Sequence, residues 1–114
     1  MTRVYVPATV VALGAYVRSG VVPSTTDRFV ADDETEEAEY AALAEAAEAA
    51  LGLLDEDGRR VVIVADLDDE DAAFGIDEIE AVHADTDDVD AGADPEDLPE
   101  LGWFATQEID DLLG

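Results

Sequence analysis

The sequence predicts an α/β (α+β) fold, a two-layer sandwich in which a mixed sheet of about five strands carries two main helices on one face, with a short helix at the C-terminus. Three observations lead there. Residues 61–65, "VVIVA", form a β-branched run without polar alternation, as in a central strand. Residues 33–54 are rich in alanine, begin with acids and repeat apolar positions at helical spacing. Strand-like and helix-like segments then alternate along a chain of 114 residues, enough for one hydrophobic core and too short for two, so residues 1–114 are read as a single domain.

The first element is a strand through Val4, Tyr5 and Val6, which Pro7 is expected to end because it cannot donate to a ladder. Thr9 is a helix N-cap for "VVALGAYVRSG", where Val10, Leu13 and Val17 share one face and Gly20 supplies a left-handed stop. Pro23 and Ser24 mark a turn, and residues 28–31 suit a brief strand. The long helix starts from a pattern resembling a capping box at Asp33 and Glu36, and its predicted core stripe is Tyr40, Leu43, Ala47, Ala50, Leu51 and Leu54. A turn at Gly58 leads into the 61–65 strand. Residues 76–84 read as a turn followed by a strand, since Glu80 to Ala84 alternates polar and apolar residues. Residues 85–100, "DTDDVDAGADPEDLPE", are broken by Gly92, Pro95 and Pro99 and are expected to be a mobile acidic loop. "LGWFAT" is the last strand, and a short terminal helix capped by Thr106 closes the chain.

Charge narrows function. The net charge is −26, all five basic residues are arginine, and Asp outnumbers Glu. Such a surface repels itself unless salt screens it, so a salt-adapted, solvated surface is the plain reading. A nucleic-acid mimic that occupies basic proteins is the sharper alternative, and direct binding to nucleic acid is disfavoured by the same charge. No apolar stretch is long enough for a membrane span, and "MTRVYVPAT" lacks a signal-peptide core; the expected location is cytoplasmic, without membrane contact. The absence of cysteine removes disulfides, thiolate metal sites and cysteine nucleophiles.

No motif fixes a reaction. The calcium-loop pattern needs a glycine at its sixth position and a glutamate at its twelfth; counted from Asp88 the twelfth is Pro99, and counted from Asp66 the sixth is Asp71. Divalent ions are therefore expected only to screen, and no catalytic, cofactor-binding or metal residue is assigned. His83 and Asp85, two apart in a strand, would share a face and could orient a general base, so a small metal-dependent or hydrolytic enzyme using them with the acids near Asp66 is one alternative. The only serines, Ser19 and Ser24, stand in no nucleophile motif. Of the adjacent Trp103 and Phe104, one ring must face the helices and the other outward. Closure of the outward ring by the terminal helix is the expected arrangement; an anchor for a basic, partly apolar partner protein is the other. Trp103, Phe104, His83 and Asp85 are thus the candidate partner-surface residues, and the favoured function is a non-enzymatic protein-interaction or accessory domain of unassigned oligomeric state. Arg59 and Arg60 are expected to neutralise neighbouring acids.

"RVYVPAT" at the start, "EEAEYAAL" at 36–43, "RRVVIVAD" at 59–66, "EAVHAD" at 80–85 and "WFATQEI" at 103–109 occur in an order and spacing that resemble a family of small uncharacterised actinobacterial proteins, a domain of unknown function. The connections after Ala31 and Thr86 are shorter than in that pattern. The resemblance implies an intracellular α/β domain and no particular activity.

Overall fold

In a computed structural model, which describes residues 2–114, the chain runs β1 (Thr2–Thr9), α1 (Val10–Ser19), β2 (Val21–Val22), β3 (Phe29–Val30), α2 (Glu36–Gly52), β4 (Arg60–Leu67), β5 (Phe74–Gly75), β6 (Ile79–Ala84), β7 (Gly102–Phe104) and α3 (Ile109–Leu113). The main sheet has five strands in the order β3-β1-β4-β6-β7, and β2 pairs with β5 in a separate ribbon. The α+β class, the five-stranded sheet and the short C-terminal helix agree with the sequence reading. The 61–65 run lies in β4, the middle strand, and a single turn of 3₁₀ helix at Ile76–Glu78 precedes β6, as expected.

Two finer features differ. Every pairing in the main sheet is antiparallel rather than mixed. β3 and β4 are joined through α2 and do run the same way, but β1 lies between them and pairs antiparallel with both. The crossover therefore links strands that are not neighbours. The two main helices also lie on opposite faces, which makes three layers. Val4, Val6, Val61, Ile63 and Val82 form a core with Leu13 of α1 and with Ile109 and Leu112 of α3. Tyr5, Val62 and Val64 pack against Ala42 and Ala46 of α2 on the other side. β4 requires both covers, since all its residues except Asp66 are buried and successive side chains point to opposite faces.

Local chemistry sets the element ends. Thr9 Oγ1 accepts the Ala12 N–H at 3.1 Å, and Gly20 (φ 83°) returns its N–H to the Tyr16 carbonyl, so both expected boundaries of α1 are present. β1 continues past Pro7 to Thr9; β3 reaches only Val4 and Tyr5, so Pro7 has a strand neighbour on one side only, the edge situation that tolerates its missing donor. α2 is capped by Thr35, whose Oγ1 accepts from Ala38 N at 3.2 Å, while Asp33 accepts the Thr35 N–H at 2.8 Å. The expected Asp33–Glu36 box is thus one step removed: Asp33 braces the cap. Thr106 does not cap α3. It opens a 3₁₀ turn, Thr106–Glu108, and the Glu108 carboxylate accepts from Ala105 N at 3.2 Å.

Arg28 ties the small ribbon to the sheet. Its guanidinium donates to the carbonyls of Glu70 (2.8 Å), Ala72 (2.9 Å) and Pro23 (3.0 Å) and lies 5.1 Å from the centroid of the Phe74 ring.

Candidate functional site

The sheet face under α2 has a half-open side. The shallowest contact of α2 with the strands is made by alanines, Ala42, Ala46 and Ala50, which are buried and recur every four residues. Small side chains bring the helix close to β1 and β4. The neighbouring stripe, Tyr40, Leu43 and Ala47, is consequently turned toward β6 and β7. Opposite it, the pairing His83↔Trp103 sets these two side by side on the same face of the sheet. The segment Pro95–Leu101 forms the third wall. Together they enclose a cleft of about 720 Å³.

The cleft has an apolar interior and an acidic rim. Leu43, Ala47, Leu98 and Leu101 supply aliphatic surface, and Glu48, Glu96 and Glu100 stand around it. Trp103 is 62% exposed and Tyr40 60%, both lining the cleft. The Tyr40 hydroxyl donates to Glu100 Oε1 at 3.4 Å, joining the helix wall to the loop wall. His83 is half-buried, and burial pushes its imidazole below the ordinary 6.5, so it is neutral at pH 7.

Among the described residues Arg60 is the one arginine lining the cleft, and its charge is already committed. Its Nε donates to Asp85 Oδ2 at 2.8 Å, its Nη2 to Asp85 Oδ1 at 2.6 Å, and its backbone N–H to Oδ2 at 2.8 Å. Nη2 also donates to the Pro99 carbonyl at 2.8 Å, which holds the loop wall in place. At its other end the acidic segment is fastened by reciprocal backbone bonds between Val89 and Gly58 (2.7 and 3.1 Å). Arg59, instead of meeting a carboxylate, donates to the backbone carbonyl of Asp85 at 2.8 Å and, at 3.4 Å, to that of Leu112.

The four sequence candidates therefore separate. His83 and Trp103 share the cleft. Phe104 points to the opposite face, half-buried against the core under α1 and α3. Asp85 is buried and engaged by Arg60, and among the described residues no hydrogen bond joins it to His83. The expected closure of the outward ring by the terminal helix does not occur, because α3 packs on the Phe104 side and leaves Trp103 open. Asp66 is held by Arg3 through two bonds, Nε to Oδ1 at 2.9 Å and Nη2 to Oδ2 at 3.1 Å, and this partner keeps its carboxyl below the usual range. It lies four residues along β4 from Val62, the partner of His83, roughly 13 Å away at strand spacing. Among the described residues no three His, Asp or Glu side chains converge in a metal-binding group. Tyr40 and Arg60 are cleft residues that the sequence reading placed elsewhere, in a core stripe and among charge-neutralising arginines, while Leu43 packs against the core as expected and also lines the cleft.

All the elements that build this cleft fall within one recognised family region: the model of the family of unknown function DUF6912 matches residues 2–113. The chain belongs to that family. No curated protein and no solved structure matches this DUF6912 chain. No helix of this DUF6912 domain, among the described residues, is long and apolar enough to cross a membrane.

Proposed function

We propose that this DUF6912 domain is a non-enzymatic interaction module, cytoplasmic and adapted to salt, that docks a basic, partly apolar segment of another protein in the cleft between α2 and the β6–β7 edge. The observation that carries the reading is the pair of exposed rings, Trp103 and Tyr40, lining one apolar-floored cleft. Large exposed aromatics beside a polar rim are the usual anchors of protein interfaces. Charge complementarity selects the partner: the rim is glutamate, Arg60 is neutralised by Asp85, and the whole chain carries −26. The remaining carboxylates act as solvated surface that keeps the domain soluble and steers a basic partner toward it.

The test is a chemical cross-linking capture with wild-type protein and with Trp103→Ala at low and at physiological salt, partners being identified by mass spectrometry. A defined partner bound by wild-type protein and lost with Trp103→Ala supports the docking cleft. Equal recovery of many basic nucleic-acid-binding proteins by both, at low salt only, would replace it with a nucleic-acid mimic.

A further inference from the structure

The cleft's chemistry is more specific than an apolar groove with acids nearby. Its exposed large hydrophobic side chains are Trp103 and Tyr40, whose ring faces carry negative charge density. Glu100 accepts from the Tyr40 hydroxyl and so stands beside one of these rings, and Glu48 and Glu96 line the same cleft with no ion-pair partner among the described residues. The single neighbouring cation, Arg60, is turned away into Asp85 and Pro99. Among the described residues no other cation lines the cleft to supply the positive charge that two π faces and three carboxylates attract.

Resting on the docking reading above, we propose that the cleft recognises one cationic side chain of its partner, an arginine or lysine head group seated against Trp103 and Tyr40, with Glu100 as its principal counter-charge. Aromatic faces stabilise a cation even at exposed sites, and the walls from α2 and residues 95–101 flank the two rings. The aliphatic stem of the same side chain would lie on Leu43 and Leu101, since long basic side chains bury their methylenes while presenting the charge.

Trp103 is the only tryptophan of the chain, so its fluorescence reports on this site alone. The experiment titrates the full chain, at an ionic strength of about 0.15 M to damp the general field, with blocked pentapeptides of identical apolar flanks. The central residue is arginine, its neutral isostere citrulline, lysine or norleucine. Binding is followed by Trp103 emission and, independently, by calorimetry. The expected result is that the arginine and lysine peptides perturb Trp103 saturably and bind about three- to thirtyfold more tightly than citrulline and norleucine. Tyr40→Leu and Glu100→Gln should each weaken them, whereas Glu36→Gln, which removes the same charge from the exposed first turn of α2, should not.

Equal binding of charged and neutral peptides with a full Trp103 response would overturn the cation site and leave the docking cleft standing. Calorimetric binding with no Trp103 response, or no binding by any peptide, would sink both. Equal weakening by Glu36→Gln and Glu100→Gln would reduce the interaction to the protein's overall charge and so also remove the cation site.

Discussion

Arg60 and Asp85 form a buried two-point ion pair, 5% and 2% exposed, that joins the start of the central strand to the residue after β6 and reaches on to the Pro99 carbonyl. One guanidinium thereby fixes strand register and positions a wall of the cleft. Breaking such a pair from one side leaves a buried charge unpaired. Asp85→Ala is expected to destabilise the fold by about 3–5 kcal/mol, and a double replacement, Arg60→Met with Asp85→Leu, to recover much of that loss. Urea denaturation of the wild type and the two variants checks both statements, and a loss below about 1 kcal/mol for Asp85→Ala would mean that the charge finds water.

The contrast between the two adjacent aromatics gives a second expectation. Phe104 packs against the core under α1 and α3, and its truncation to alanine should lower stability by about 2–4 kcal/mol. Trp103→Ala, at an exposed position, should change stability by no more than about 0.5 kcal/mol while abolishing docking. Thermal and chemical unfolding of the pair separates a structural ring from a functional one.

His83 titrates with a definite sign. Its imidazole is held below 6.5 by burial, so the unfolded chain takes up the proton first as the pH falls. Stability from this residue is therefore full above pH 6.5, is lost as pH falls through the unfolded value, and levels off below the folded one. The stability difference between wild type and His83→Gln should shrink over that window. Carboxylate protonation acts on both proteins and cancels in the difference. Proton NMR of the single histidine gives the folded value directly; a value at or above 6.5 would contradict the burial argument.

Salt should raise the melting temperature gradually. With a net charge of −26, screening relieves self-repulsion across the surface, and circular dichroism in potassium chloride from tens of millimolar to molar should show a smooth climb. Exposed pairs such as Arg3–Asp66 contribute little to that balance, and Asp66→Asn is expected to change stability by less than about 1 kcal/mol. A saturating jump with low-millimolar calcium or magnesium would instead indicate a specific site.

The close approach of α2 to the sheet rests on alanine. Ala46 is fully buried between helix and strands, so Ala46→Leu should destabilise by about 1–3 kcal/mol and displace the helix wall of the cleft. A backbone amide shift map extending to Trp103 would register that displacement.

The parts of the fold legible in the sequence were those set by local chemistry or strong periodicity. The β-branched run of β4, the Thr9 cap and the turn before β6 are of this kind. The face of α2 was legible in part: Ala50 and Leu51 of the expected stripe are buried and Leu43 and Ala47 pack against the core, but Tyr40 is exposed and Ala42 and Ala46 were missed, because in an alanine-rich helix the two stripes have the same spacing. Proximity to the sheet selects the smaller side chains, and that proximity is tertiary. Strand direction escaped for a related reason: the β3–α2–β4 crossover is visible as a pattern, but the insertion of β1 between its strands is not. His83 lies in β6 and Asp85 just beyond its end, and the fate of the carboxylate was decided by Arg60, twenty-five residues away along the chain. Trp103 was read as one of two alternating rings; which of them stayed open depended on where α3 docked.

The central pairing also dictates an order of assembly. On its β4 side Thr2 to Thr9 pair with Leu67 to Arg60, so β1 has no strand to join there until the chain has run on through α2 to β4. β4 and β6, close in sequence, can close on each other first and offer β1 a finished edge. Until β4 is present the apolar "VYV" segment has an unpaired edge on that side, and unpaired strand edges are prone to wrong association. The acidic clusters that follow it, at 32–39 and 68–71, repel one copy of the chain from another.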